Sequence, residues 1–77
     1  MYYYQRLRDL RNDKELNQID IALLLETTQQ QYSKYELGVQ EIPTRHLIKL
    51  ADFYNTSTDY ILGRTNNIKP YPKKLIK

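Results

Sequence analysis

The sequence predicts an all-α fold, a compact bundle of five short helices followed by a basic C-terminal tail. Only two glycines and three prolines occur among the 77 residues, which favours helices joined by short connections. Apolar residues recur at spacings of three and four, the period of amphipathic helices. Asn, Ser or Thr precedes most of the helical stretches, where such side chains cap free backbone amides.

The composition limits the chain to one small domain. Apolar residues make up 40% and charged residues 27%, the balance of a globular protein rather than a disordered one. The absence of cysteine excludes a disulfide framework and a thiolate metal site, and it favours a cytoplasmic location. No apolar run approaches the ~18 residues of a membrane span, so no membrane association is expected.

The first helix is predicted to begin near Tyr3 and to end by Asp13. Leu7 and Leu10 lie three residues apart with charged residues between them, the pattern of a helix with one buried stripe. Leu16, after the turn that follows, is expected to be buried.

The second and third helices are predicted over residues 18–25 and 29–36. Asn17 and Thr28 precede them as N-caps, and Gly38 ends the third helix in the left-handed conformation. The side chains expected to face the core are Ile21, Ala22, Leu25, Tyr32 and Tyr35.

The fourth helix is predicted to follow Thr44 as its cap and to close at Asn55 in the left-handed region. Ser57 is predicted to cap a short fifth helix over residues 58–62. The side chains expected to face the core from these two helices are Leu47, Leu50, Ala51, Tyr54, Ile61 and Leu62.

Charge divides the chain into a predicted domain, residues 1–63, and a predicted tail, residues 64–77. Five of the twelve Lys and Arg residues and none of the nine acids lie in the tail, so the domain carries a net charge of −2. Pro70 and Pro72 oppose a regular helix in the tail. We expect a tail that is mobile by itself, with four apolar side chains able to dock: Ile68, Tyr71, Leu75 and Ile76.

Helices 18–25 and 29–36, separated by a three-residue break, form a helix-turn-helix pattern. Two helices that cross closely need a small side chain at the crossing, and Ala22 supplies it. The second helix presents an outward polar face made of Gln29, Gln30, Ser33 and Lys34.

The chain resembles the Cro/C1-type helix-turn-helix regulators, which include the xenobiotic-response-element-type bacterial repressors and the lambdoid phage repressors. The matching stretches are Leu16-Asn17-Gln18, Ala22, Thr27-Thr28-Gln29-Gln30, Tyr35-Glu36-Leu37-Gly38, Pro43, Leu50-Ala51-Asp52-Phe53-Tyr54 and Asp59-Tyr60-Ile61-Leu62-Gly63. The resemblance covers residues 4–65. It implies a λ-repressor-like domain that docks its third helix in the DNA major groove, usually as a homodimer in the bacterial cytoplasm, on the nucleoid.

The sequence departs from the family pattern at three positions of the motif. The family usually has glycine at the turn, where this chain has Glu26; a positive φ there would cost about 1–2 kcal/mol. Thr27 stands in place of an aliphatic residue, and Tyr32 in place of Ile or Val.

Base contacts are predicted for Gln29, Gln30, Ser33 and Lys34. A glutamine amide both accepts and donates, so it can bond adenine N6 and N7 together, and each such pair contributes about 1–3 kcal/mol of discrimination. The resemblance places base contacts on the same two glutamines. Gln31 is expected to face sideways.

Contacts to the DNA backbone are predicted for Gln18, Thr28, Gln40, Thr44 and Arg45. Gln18 begins a helix, where free amides add to phosphate binding. The arginines of the first helix, Arg6, Arg8 and Arg11, are either phosphate contacts or, more simply, a solvated helix face.

Catalysis is not predicted. His46 is the only histidine, it has no cysteine or second histidine as partner, and it is expected at the surface. No cofactor, metal site or small-molecule ligand is evident. The sequence favours a transcriptional repressor that binds a double-stranded DNA operator; the alternative is an antitoxin or anti-repressor whose main partner is a protein. A dimer interface is expected around Tyr60 and Ile61.

Overall fold

The computed structural model describes residues 4–72, and within that range the chain forms five α-helices and no strand. Their bounds are α1 (Gln5–Asp13), α2 (Gln18–Leu24), α3 (Gln29–Leu37), α4 (Thr44–Phe53) and α5 (Thr58–Ile61). The predicted all-α class is confirmed. Tyr3, the predicted start of the first helix, lies outside the described residues. No helix in the described range has the length and apolarity needed to cross a membrane.

Three of the predicted helix starts are fixed by polar side chains. The Thr28 hydroxyl accepts a hydrogen bond from the Gln31 amide at 3.1 Å, and the Ser57 hydroxyl accepts one from the Tyr60 amide at 2.9 Å. At α2 the Asn17 amide donates to the Asp20 carboxylate at 2.9 Å. The caps predicted at these helices are confirmed.

The start and end of α4 show one wrong and one correct prediction. Thr44 is the first helical residue rather than the cap, because Pro43 occupies the N-cap position with an extended backbone. The proline side chain has no hydrogen-bond acceptor, so the helix starts without a side-chain cap. Asn55 adopts a left-handed φ of 54°, and Gly38 does so at 75° after α3, as predicted.

The core is formed by apolar side chains on the inward face of each helix. Its buried members are Tyr4, Leu7, Leu10, Ile21, Ala22, Leu25, Tyr32, Tyr35, Ile42, Leu47, Leu50, Ala51, Tyr54 and Ile61. Two predictions differ from this set: Leu62 is exposed because α5 ends before it, and Leu16 is only half-buried at the edge of the core. Each fully buried aliphatic side chain contributes about 1.5–3 kcal/mol.

Residues 64–72 lie against the helices instead of extending freely. The Arg6 guanidinium donates to the Tyr60 carbonyl at 2.8 Å, to the Thr65 carbonyl, and to the Asn66 side-chain oxygen at 2.8 Å. The same guanidinium stands 4.0 Å from the centre of the Tyr60 ring, a cation–π contact. One arginine of α1 therefore clamps the start of this segment onto α5.

Further along, the segment is held by two side-chain hydroxyls. Thr56 donates to the Ile68 carbonyl, and Tyr71 donates to the Asp59 carboxylate at 2.9 Å. Residues 64–72, which were expected to be mobile by themselves, thus have fixed contacts in the structure, among them contacts of Ile68 and Tyr71. Leu75 and Ile76, also predicted to dock, lie outside the described residues.

The two residues at the centre of the predicted dimer interface, Tyr60 and Ile61, have little exposed surface. Ile61 is 1% exposed and belongs to the core of its own chain, as predicted, so it offers almost no surface to a dimer interface around Tyr60 and Ile61. Tyr60 is half-buried beneath Arg6.

Candidate nucleic-acid interface

The crossing of α2 and α3 is closed by a tight turn. Ala22 is 3% exposed at this crossing, and its carbonyl accepts from the Thr27 amide at 2.9 Å. Glu26, between them, has a φ of 58°, so the left-handed turn that the family usually builds with glycine is built here with a glutamate. The strain, about 1–2 kcal/mol, is borne by the surrounding packing.

The outer face of α3 carries the side chains for which base contacts are predicted. Gln29, Gln30 and Lys34 are exposed and Ser33 is half-exposed. Together with Gln18 they line one shallow concavity. No side-chain hydrogen bond to the rest of residues 4–72 engages Gln29 or Gln30, so both amides are available to a ligand. The four predicted base-contact positions thus share one solvent-facing surface.

The inner face of α3 explains why that surface points outward. Tyr32 is fully buried and Tyr35 is 3% exposed, and their rings meet edge to face with centroids 6.3 Å apart. Burial, with the adjacent Glu36 charge, raises the pKa of Tyr32 far above its ordinary value. Burial also raises the pKa of Tyr54, in the same core, to about 12. The bulky Tyr32 is accommodated in the core rather than displacing the helix.

A buried ion pair fastens the back of α3 to α1. The Arg11 Nε lies 2.7 Å from Glu36 Oε2, and its Nη2 donates to Oε1 at 3.1 Å. The Glu36 side chain has no exposed surface. Burial alone would raise the pKa of Glu36, but the hydrogen bonds that Arg11 and Gln18 donate to its carboxylate outweigh it and lower that pKa. The carboxylate therefore stays ionised inside the fold.

Sequence reasoning missed this pair, although a signal was present. Glu36 follows the inward-facing Tyr32 by four residues, so the helical period puts it on the same face of α3. An inward carboxylate requires a cationic partner. The assignment of Arg11 to a solvated face or a phosphate contact is wrong, because its guanidinium is bound to Glu36 and to the Leu16 carbonyl.

Gln18 and Thr28 lie at the edge of the α3 surface, and each uses only part of its hydrogen-bonding capacity within the protein. Gln18 Nε2 donates to Glu36 Oε1 at 3.1 Å, and since an amide carries two N–H donors, the second remains available. The Thr28 hydroxyl caps its own helix but still has a proton to donate. Both side chains can contact a phosphate without breaking their internal bonds.

The other predicted backbone contacts lie on the far side of α3. Gln40 and Arg45 line a cleft between the α2–α3 turn and the start of α4, which Thr44 does not line. His46 lines the same cleft and is 8% exposed, so its prediction as a surface residue is wrong. Its ring packs 6.1 Å from that of Tyr35, centroid to centroid.

Comparison with known proteins agrees with this geometry. A family described as helix-turn-helix matches residues 7–61. Among curated proteins of Bacillus subtilis (strain 168), the chain is 37% identical over 68 residues to the uncharacterized HTH-type transcriptional regulator YobD, covering 88% of this chain and 61% of that protein. It is 35% identical over 60 residues to the HTH-type transcriptional regulator ImmR, covering 78% of this chain and 47% of ImmR.

A third relative, the SPbeta prophage-derived uncharacterized HTH-type transcriptional regulator YonR of the same organism, is 37% identical over 62 residues, 80% of this chain and 57% of YonR. The chain thus spans about half to three-fifths of the length of these relatives. No solved structure matches the chain significantly. The match over residues 7–61, with the helix order and the α2–α3 geometry, shows that the chain belongs to the Cro/C1-type helix-turn-helix family.

Proposed function

We propose that this chain is a sequence-specific regulator of transcription that binds double-stranded DNA and inserts α3 in the major groove. The observation that carries the proposal is the pair of exposed, unengaged amides of Gln29 and Gln30 on a helix whose other face is buried. A rigid helix that presents bidentate side chains at its N-terminal end matches the way helix-turn-helix proteins contact base edges. Ser33 and Lys34 extend the same surface by one turn.

Phosphate contacts flank this surface on both sides. Gln18, beside Gln29, offers its second amide proton, and Thr28 offers its hydroxyl; Gln40 and Arg45 lie across α3, with Thr44 at the first turn of α4. These groups hold the helix in register while the glutamines discriminate between bases. Because residues 1–63 carry a net charge of −2, affinity depends on this local placement of donors rather than on overall charge.

The site leads us to propose a repressor that blocks a promoter as a homodimer in the bacterial cytoplasm, bound to the nucleoid, without enzymatic activity. One α3 covers a single half-site, and two-fold related half-sites lie about 34–36 Å apart. A protected stretch on DNA that contains two inverted half-sites at that spacing supports the dimer, and a single unrepeated half-site contradicts it.

A protein-interaction role is the second candidate. Leu23 on α2 is 71% exposed and Ile19, four residues before it, is 53% exposed, so α2 presents apolar side chains to solvent. An antitoxin or anti-repressor would use such a face for a protein partner. In that case the chain would bind all duplexes weakly and equally.

The decisive experiment selects bound duplexes from a random library and then compares variants on the selected site. Gln29→Ala should weaken binding to that site by about 1–3 kcal/mol, roughly 5- to 150-fold, and relax the preference at one base pair. Gln31→Ala is the matched control: it is the same truncation two residues further along α3, at a side chain whose Nε2 donates to the Tyr35 hydroxyl at 3.3 Å.

A contact to the DNA backbone should behave differently. Arg45→Ala is expected to weaken binding to all sequences alike and to reduce the slope of log affinity against log salt by about one. If selection yields no preferred duplex, or if Gln29→Ala weakens random and selected DNA equally, base recognition by α3 is wrong.

A further inference from the structure

The cleft between the α2–α3 turn and the start of α4 contains a group that the proposed function leaves unused. We propose that this cleft binds a phosphodiester of the DNA backbone and that His46 takes up a proton when it does. The inference rests on the proposed function and adds to it a proton-linked phosphate subsite. It is carried by the burial of His46, by the charges around it and by the free amide of Arg45 in α4.

His46 is buried as a residue, but its imidazole nitrogens reach the cleft and bond no group in the described part of the chain. Its residue surface is 8% exposed, and no other side chain or backbone group within residues 4–72 donates to or accepts from its imidazole. The imidazole nitrogens are not among the fully buried side-chain atoms without a partner, which in the described residues are the Tyr32 and Tyr54 hydroxyls, so they open onto the cleft. The ring lines the cleft, so an oxygen of a bound anion can supply the missing partner.

The cleft is lined mainly by donors. Arg45 and Lys49 flank His46 on α4, and Gln40 faces it from the loop before that helix. From α3 it is faced by Tyr35, whose hydroxyl is bonded to Gln31. The one acidic side chain that lines the cleft is Glu26, from the α2–α3 turn. Two cations against one acid favour an anionic occupant.

The first turn of α4 adds a backbone donor. The amide of His46 donates to the Pro43 carbonyl at 3.0 Å, which leaves the amide of Arg45, a residue that lines the cleft, as an unbonded donor in the first turn of this ten-residue helix. Such an amide, together with the positive end of the helix dipole, favours phosphate oxygens. Gln40 and Arg45, which line the cleft, are also the residues for which the proposed function assumes contacts to the DNA backbone.

Proton uptake follows from the charge of the occupant. In the free protein, burial and the positive charges of Arg45 and Lys49 lower the pKa of His46, so the ring is neutral at pH 7. A phosphodiester in the cleft reverses the local charge and favours the imidazolium. The pKa is then higher in the complex, so affinity increases as pH falls through the bound pKa and levels off below the free pKa.

The experiment uses the whole chain with a duplex obtained by selection. Because His46 is the only histidine, its imidazole resonances titrate without overlap from another residue. We expect its pKa to be higher in the complex than in the free protein. Each unit of that increase strengthens wild-type binding about tenfold between high and low pH, measured against His46→Gln at constant ionic strength.

The outcomes separate the two proposals. A preferred duplex bound with an unchanged His46 pKa, and with the same pH dependence in wild type and His46→Gln, overturns the proton-linked subsite and leaves base recognition intact. Absence of a preferred duplex at every pH overturns the proposed function and this inference with it. If His46→Gln does not fold, the titration of the wild-type histidine, which needs no variant, decides.

Discussion

Two arginines of α1, Arg11 and Arg6, hold different parts of the molecule in different ways. Arg11 points into the fold and bonds the buried carboxylate of Glu36, so α1 and α3 are joined by opposite charges. Arg6 lies at the rim and bonds neutral carbonyl and amide oxygens of Tyr60, Thr65 and Asn66. The first contact positions the surface proposed to bind DNA, and the second holds the segment that follows the helices.

The difference concerns what remains when the arginine is lost. Without Arg11, an ionised carboxylate stays buried without its main partner, and the fold must either protonate it or open to water. Without Arg6, the freed carbonyl oxygens turn to solvent at little cost. Loss of the arginine is therefore expected to cost far more stability at the contact with α3 than at the contact with residues 64–72.

The largest effect is expected for Arg11→Met. Breaking one partner of a buried ion pair costs about 3–5 kcal/mol, because the other charge is left uncompensated. Urea denaturation should show a loss of that order, a large fraction of the stability of a 77-residue domain.

Two variants sharpen this prediction. Arg8→Met is the matched control, since the Arg8 side chain is 50% exposed with its Nε 3.7 Å from Glu36 Oε1, and it should cost less than about 1 kcal/mol. The double variant Arg11→Met with Glu36→Gln should recover part of the loss, because no charge remains buried. Equal destabilisation by Arg11→Met and Arg8→Met would show that the buried contact with Glu36 contributes no more stability than the exposed one.

A smaller and local effect is expected for Arg6→Met. Loss of its bonds at the rim should lower global stability by about 1 kcal/mol. Amide hydrogen exchange in residues 64–69 should accelerate strongly while the amides of α3 stay protected. Acceleration spread evenly over the whole chain would show that the segment is part of the cooperative core instead.

Sequence patterns predicted elements that depend on local chemistry and missed contacts that depend on distant ones. Thr28, Ser57 and Gly38 act within their own helices, so their roles follow from neighbouring residues. Glu36 lies 25 residues from Arg11, and the partners of Arg6 lie 54 or more residues from it, so no local rule specifies these contacts. His46 was assigned to the surface from its charged neighbours, yet the position of α4 against Tyr35 buries it.

The smallest effects are expected at two residues with a left-handed backbone, one before α3 and one after α5. Before α3 that position is Glu26, with φ 58°, and after α5 it is Gly63, with φ 77°. Glu26→Gly should stabilise the chain by about 0.5–1 kcal/mol, since relief of strain exceeds the added entropy of the unfolded glycine. Gly63→Ala should destabilise it by about 1 kcal/mol through φ alone, because a Cβ there meets nothing within 4 Å. Thermal unfolding of both variants measures these two changes in stability.

Stability changes of opposite sign mean that the turn before α3 retains a backbone strain, which the glycine after α5 avoids. A loss of stability in Glu26→Gly would mean instead that the Glu26 side chain, in the wall of the His46 cleft, contributes more to the fold than its backbone costs.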